Sequence, residues 1–263
     1  MESRPEKAIF SEQVLGELAS NLQGGVKSVR ALVHKRRGAL DYLKRVHAPQ
    51  LCGQPPLWLN AIPLSPVELD QCLDDAGRRR AQTFFHLGTS LATLLDLPQG
   101  VAVVRALAQV LEEYEFFASS NSAMKLLRAK QLDARERVSV ASLLSVNEPV
   151  RPTLRKAGRK VVYEFLDLSI PVPQHMSYSA IVGALCDTLS LLYAVFVDDT
   201  CTSATIADAI FKVDAKIVST FLEPVTQHAS AIAKNKVEGA LQGVLEGSLS
   251  SSGQATGSAS DEP

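Results

Sequence analysis

The stretch Tyr178 to Val197 reads YSAIVGALCDTLSLLYAVFV and carries one charged residue, Asp187, near its middle. Its apolar positions cover more than one face of a helix, which is typical of a helix buried at the centre of a bundle. The alternative is a membrane span, but an aspartate at mid-bilayer costs about 2.5–3.5 kcal/mol. We therefore predict a central helix capped by Ser177, whose core positions are Leu185, Leu189, Leu192 and Phe196.

On the C-terminal side, a second long helix is predicted from Ala204 to about Leu245, with Ser203 as its N-cap. Its apolar residues recur every three or four positions and form one stripe: Ile206, Ile210, Val213, Ile217, Phe221 and Val225. Pro224 should kink this helix. At 1.5 Å per residue it would span roughly 60 Å, which exceeds the interior of a compact domain of this size. Its C-terminal end is therefore expected to project.

On the N-terminal side, Ser65-Pro66-Val67-Glu68 combines a capping box with proline at the first helical position. The apolar pattern that follows predicts one helix up to Asp96, and Val101 to Ala118 is predicted as the next. The segment 48–64 contains several prolines and is predicted as a loop. Because this loop also carries large apolar side chains, we expect it to pack on the body of the protein.

The first part of the chain, Ile9 to Val46, reads as a helix interrupted at Gly24-Gly25. Val26, Val33 and Leu40 lie seven residues apart, which indicates a narrow seam against one partner helix. Two shorter helices are predicted at 123–132 and 134–144.

The segment 150–168 admits two interpretations. Its β-branched and aromatic residues follow Gly158, which favours a short β-hairpin. The apolar spacing also fits one face of a helix, through Leu154, Ala157, Val161, Phe165 and Leu168. We favour the hairpin and keep the helix as the alternative.

Together these patterns predict a mainly α fold, a bundle of about seven helices in a single domain over 1–246. A composition of 46% hydrophobic and 21% charged residues is ordinary for a globular protein. The tail, 247–263, consists largely of Gly, Ser, Ala and Thr and cannot bury enough apolar surface to offset its ordering entropy. We therefore predict that the tail is disordered.

Signals for catalysis or for cofactor binding are few. The four cysteines include no C-x-x-C pair, and no histidine lies three or four residues from another histidine or a cysteine. The glycine-rich and serine-containing motifs of dinucleotide, phosphate and hydrolase sites are absent. We therefore predict no catalytic residues, no metal site and no cofactor, and favour a non-catalytic role.

The pair Asp198-Asp199 follows the central helix. In its adjacent carboxylates it resembles the magnesium-binding acids of all-α isoprenoid and terpene synthases. Cys201 and the two hydroxyl residues after it stand where that family has a third acid, and a second acidic motif is missing. A magnesium-dependent all-α enzyme that uses Asp187 with this pair is kept as the alternative function.

Three basic clusters remain in a chain whose net charge is −1. From the first we predict partner contacts by Lys27, Arg30, Lys35, Arg37 and Lys44, which should face outward if the seam faces inward. The other clusters are 78–80 and 151–160. No aromatic residues are interleaved for base stacking, so nucleic-acid binding is only a third hypothesis. An acidic protein surface fits these charges better.

The sequence thus favours an adaptor or assembly subunit that mediates protein–protein interactions. Its N-terminus shows no apolar secretory signal, so a cytoplasmic protein without a transmembrane segment is expected. Cytoskeletal or nuclear association, the identity of the partner and the oligomeric state stay open at this point.

Overall fold

The computed structural model describes residues 28–48, 57–98, 100–119, 154–157, 160–197 and 203–252. Within these ranges the fold is mainly α, which confirms the predicted class. The helices are α1 (28–47), α2 (Pro66–Gln71), α3 (Asp75–Thr93), α4 (Val101–Ala118), α5 (Tyr178–Val195), α6 (Ala204–Ile217) and α7 (Glu223–Ser252). Two short antiparallel pairs join them: β1 (Leu57–Trp58) with β2 (Ile62–Pro63), and β3 (Arg155–Ala157) with β4 (Lys160–Val162).

The central helix of the bundle is α5. It packs against α3 and α2. It also contacts the end of α1, because a Cβ added to Gly183 would lie 3.6 Å from the Cβ of Ala48, the residue after α1. The four predicted core residues, Leu185, Leu189, Leu192 and Phe196, are each at most 1% exposed. One strip of α5 nevertheless faces solvent, and it consists mainly of small or apolar residues: Ala180, Ala184, Asp187, Leu191 and Ala194.

The predicted helix from Ser65 to Asp96 is two helices, so that part of the prediction is wrong. The capping box itself is present: the Ser65 hydroxyl accepts from the backbone N–H of Glu68, and the Glu68 carboxylate accepts from the backbone N–H of Ser65. However, α2 ends at Gln71, because Asp74 caps a new helix by accepting from the backbone N–H of Gly77 at 2.6 Å. After α3, a 3₁₀ turn covers Leu94–Asp96.

The helix predicted from Ala204 to about Leu245 is interrupted just before Pro224 by a π-helical turn between α6 and α7. This turn covers Val218–Leu222, and the N–H of Glu223 donates to the carbonyl of Val218, five residues back. Proline has no N–H and its ring clashes with the carbonyl four residues before it, so a regular α-helix cannot pass this point. Beyond it α7 continues to Ser252, past the predicted end, and all residues from 234 to 244 are exposed.

The two β pairs lie in segments that the sequence marks as irregular. In the predicted loop 48–64, the described part forms β1 and β2, and Trp58 is 2% exposed and stacks with Tyr42 at 5.7 Å between ring centroids. The turn between them holds Leu59 and Asn60 at φ 51° and 57°. In the segment 150–168 the favoured hairpin is confirmed, with Arg155 opposite Val162, and the alternative helix is wrong.

A buried carboxylate joins the chain after β4 to helix α4. Glu113 is 1% exposed, and its two oxygens accept from the backbone N–H groups of residues 164–166 at 2.8–3.0 Å. The side-chain amide of Gln109, one turn earlier, also donates to it at 2.8 Å. One residue further on, the N–H of Asp167 donates to the hydroxyl of Ser90 on α3 at 2.8 Å. This segment is therefore held to the bundle by polar groups.

Several predictions lie outside the described residues. They are the helices at 123–132 and 134–144, the chain before residue 28 with its glycine break, and the part of the predicted tail from 253 onward. Residues 247–252, which were predicted to belong to the disordered tail, are part of α7.

Candidate interaction surface

Helix α1 carries four of the five cations that the sequence singled out for partner contacts. Arg30, Lys35 and Arg37 are exposed, and we call these three side chains together the α1 basic face. Arg30 and Arg37 lie two turns apart on one side of α1, and Lys35 lies on its other flank, about 140° around the helix from Arg30. Lys44 lies further along the same helix but is half-buried, and its ammonium group lies 2.6 Å from the carboxylate of Asp187. Lys27 lies outside the described residues. The structure thus leaves three of the five predicted residues exposed, and two of them, Arg30 and Arg37, lie on the same side of the helix.

Arg36, which lies between two of these cations in the sequence, points toward α6. Its guanidinium donates to both carboxylate oxygens of Asp214 on α6, at 2.7 and 2.9 Å, and the hydroxyl of Tyr193 donates to the same carboxylate at 2.6 Å. These hydrogen bonds raise the pKa of Arg36, and burial raises the pKa of the Tyr193 hydroxyl. The buried pair fixes the rotation of α1, so neighbouring positions on the helix face solvent.

The basic side chains of α1 reach across to α5. The guanidinium of Arg37 donates to the hydroxyl of Ser190 at 3.3 Å, and Lys44 meets Asp187 one turn earlier on α5. Lower residue numbers on α5 therefore meet higher ones on α1, which makes the two helices antiparallel. Consequently the exposed strip of α5 is flanked by cations on the side of α1.

A groove lies on the other side of this strip, between α3 and α5. One cavity of about 500 Å³ is lined from α3 by Phe84, Phe85, Gly88, Thr89 and Ala92, and from α5 by Ala180, Ile181, Ala184, Leu185 and Thr188. The helices come close at Gly88, where an added Cβ would lie 3.4 Å from a methyl group of Leu185. Pro173, His175, Met176 and Ser177 close one end.

A second cavity, of about 570 Å³, lies further along α5, where this helix meets the 3₁₀ turn after α3 and helix α4. It is lined by Leu94, Leu95, Leu97, Val103, Leu191, Ala194, Val195 and Val197. Leu95 is 39% exposed and Leu191 is 56% exposed. We call the two cavities together the α3–α5 groove. Together the two cavities border α5 from Ala180 to Val195, a stretch of about 22 Å at 1.5 Å per residue.

The lining of this groove is almost free of charge. Apart from His175 at one end, its residues are aliphatic, aromatic, hydroxyl-bearing or small. The hydroxyls of Thr89 and Thr188 donate to the carbonyls of His86 and Ala184 on their own helices. The groove is thus an apolar surface beside a basic one, a combination that protein-binding sites often show.

The predicted acidic site and the second basic cluster do not form part of this surface. Asp187 is half-exposed and pairs with Lys44, while Asp198 and Asp199 lie outside the described residues. Across the described ranges, no three histidine, cysteine or acidic side chains are grouped so that they could hold a metal ion. Burial raises the pKa of Cys186, which keeps this thiol protonated. In the second basic cluster, Arg78 lies 3.6 Å from Asp75.

Helix α5 is the one described helix that is long and apolar enough to cross a membrane, and 56% of that stretch is buried inside the protein. Comparison with protein-family models, with curated proteins and with solved structures finds no match to this chain. The function is therefore inferred from the surface of the protein.

The sequence pattern predicts the basic residues of α1 as a contact site, but it does not predict the groove. The groove is made by small residues, such as Gly88 and Ala184, on helices about one hundred positions apart in the chain. Its one local signal is the spacing of the small residues at positions 180 and 184, and this spacing does not distinguish an exposed strip from a close helix contact.

Proposed function

We propose that this protein is a non-catalytic adaptor or assembly subunit that binds an acidic protein surface through the α1 basic face. The observation that carries the proposal is that no carboxylate in the described part of the chain pairs with these cations. Arg30, Lys35 and Arg37 are exposed, and none of them has a carboxylate partner among the described residues. A cytoplasmic location would suit such a role.

Cations elsewhere on the described surface are mostly paired within the protein. The pairs are Arg45 with Asp41, Arg78 with Asp75, Lys212 with Asp208, Lys216 with Glu112 and Glu115, Lys234 with Glu238, and Lys236 with Glu68. Unpaired exposed charges contribute little to folding stability but attract an oppositely charged partner at a distance. This contrast favours a binding role for the α1 basic face over a role in folding.

The test is affinity capture with quantitative mass spectrometry of the triple variant R30E/K35E/R37E. We expect proteins with acidic surfaces to be captured by the unchanged protein and at least tenfold less by the variant. Adding salt should weaken their capture by the unchanged protein, because screening reduces long-range attraction. Far-UV circular dichroism should not change, since the three side chains are exposed.

The matched control is R78E/K212E/K234E, which changes the net charge equally but at cations already paired with neighbouring acids. This control should retain the captured proteins. Equal capture by the R30E/K35E/R37E variant at low salt would contradict the proposed function.

A further inference from the structure

We infer that the α3–α5 groove binds an amphipathic helix of the partner, with acidic side chains on the flank of that helix that faces α1. This inference rests on the proposed function, because it names the part of an acidic partner that is recognised. It adds a second contact site, which the α1 basic face alone does not require.

The shape of the groove fits a helix. The two cavities border about 22 Å of α5, which corresponds to a helix of roughly 15 residues, since an α-helix rises 1.5 Å per residue. The walls of the groove are low where small residues line it, at Ala92 on α3 and at Ala180 and Ala184 on α5. Packed helices lie 8–10 Å apart, and small residues at the contact favour the shorter distance.

The hydrogen-bonding character of the groove favours a helix over an extended strand. A strand would bring unpaired backbone N–H and C=O groups into an apolar surface, where each unsatisfied group costs about 1–3 kcal/mol. The hydroxyls of Thr89 and Thr188 already donate to their own helices, and Ser177 caps α5 by accepting from the N–H of Ala180. A helix satisfies its backbone internally and presents only side chains.

The charges beside the groove indicate which side chains the flank of the partner helix should carry. On the side of α1, Arg37 extends over α5 and has a hydroxyl, not a carboxylate, as its partner. The one acid on the exposed strip of α5, Asp187, is neutralised by Lys44. An acidic flank would therefore meet net positive charge, whereas a basic flank would be repelled.

An anionic membrane surface would also be attracted to a basic and apolar face. A bilayer is flat on this scale, however, and cannot fill a concave groove between two helices. A helix fills it with side chains, so the shape favours a protein partner over a lipid one.

The experiment uses two fluorescein-labelled synthetic 18-residue helices that share one leucine–alanine face. One carries glutamate along its flank and the other carries lysine at the same positions. Fluorescence anisotropy with the full-length protein should show at least tenfold tighter binding of the glutamate helix. Vesicles containing 30% phosphatidylserine serve as the lipid probe and should not compete with it. Equal binding of the two helices, or competition by the vesicles, would overturn the inference.

The groove is then blocked by Ala184→Trp, and separately by Ala92→Trp, because both alanines are exposed and line it. Each variant should weaken binding of the glutamate helix at least tenfold. The matched control is Ala215→Trp on α6, which is exposed but lies outside the groove and should bind normally. Melting curves identify any variant that fails to fold, and two independent blocking positions keep the test decisive.

The two proposals fail separately. If both groove variants bind the glutamate helix normally, the groove is not its site, and the proposed function stands or falls on the capture experiment with R30E/K35E/R37E. If that triple variant retains every captured protein, the proposed function fails whatever the synthetic helices do.

Discussion

Arg36 and Asp214, separated by 178 positions in the chain, form a two-pronged ion pair with distances of 2.7 and 2.9 Å. The pair ties the N-terminal helix α1 to α6, and the hydroxyl of Tyr193 on α5 completes it. Three helices thus meet at one carboxylate that is 5% exposed. This largely buried ion pair holds the three helices together, because separating them would leave the Asp214 carboxylate without its counter-charge.

Removing Arg36 should therefore destabilise the fold substantially. Arg36→Ala leaves the Asp214 carboxylate buried without its counter-charge, and we expect the free energy of unfolding to fall by about 3 kcal/mol. Urea denaturation followed by circular dichroism measures this. The control, Arg30→Ala, removes an exposed cation of the same helix and should change stability by under about 0.5 kcal/mol. Similar losses for both variants would contradict the structural role of the pair.

Two leucines on α5 should respond very differently to truncation. Leu189 is 1% exposed, so Leu189→Ala creates a cavity and should cost about 2–5 kcal/mol. Leu191 is 56% exposed on the same helix, and Leu191→Ala should cost under about 0.5 kcal/mol. Chemical denaturation of the two variants checks the orientation of α5. A loss below 0.5 kcal/mol for Leu189→Ala would place this helix at the periphery.

The carboxylate of Glu113 should control the order of the segment after β4. Glu113→Ala leaves three consecutive backbone N–H groups without their acceptor, and the buried one, that of Leu166, costs about 1–3 kcal/mol when it is unsatisfied. Hydrogen exchange of the amides of residues 164–166 should accelerate at least tenfold. Glu113→Gln retains one carbonyl acceptor and should give an intermediate rate. Unchanged exchange in the alanine variant would show that these amides find other partners.

The stability of the protein should fall as the pH drops from about 6.5 to 4, partly because of His47. This side chain is 2% exposed, and burial lowers its pKa to about 4 from an ordinary 6.5. Between these values the unfolded chain takes up a proton that the folded protein does not. One unit of pKa difference corresponds to about 1.4 kcal/mol, so the full loss is roughly 3 kcal/mol near pH 4.

The variant His47→Phe removes this titration while keeping an aromatic ring. Its stability should depend less steeply on pH between 6.5 and 4 than that of the unchanged protein, as measured by urea denaturation at several pH values. Parallel pH curves for the two proteins would mean that His47 does not titrate across this window.

Local sequence signals determined where several elements begin and what class of fold they build. The serines at positions 65, 177 and 203 each accept from a backbone N–H three residues later, as predicted, because a helix cap needs partners only within one turn. The apolar period likewise predicted the buried residues of α5 and the seam residues Val33 and Leu40. The boundary inside the predicted 65–96 helix was missed because the apolar pattern runs through both helices. The side chain of Asp74 caps the second helix and so ends the first.

Only the tertiary structure decided which charges are buried and where a surface opens. Arg36 and Arg37 are adjacent and chemically alike, yet one meets a carboxylate of α6 and the other lies exposed, because helix rotation places their side chains about 100° apart. In the sequence Glu113 is typical of an exposed acid. In the fold its carboxylate is buried and accepts from the backbone N–H groups of residues 164–166. The α3–α5 groove depends on small residues of two distant helices facing each other. Such contacts join positions that no local pattern relates, so the fold alone creates them.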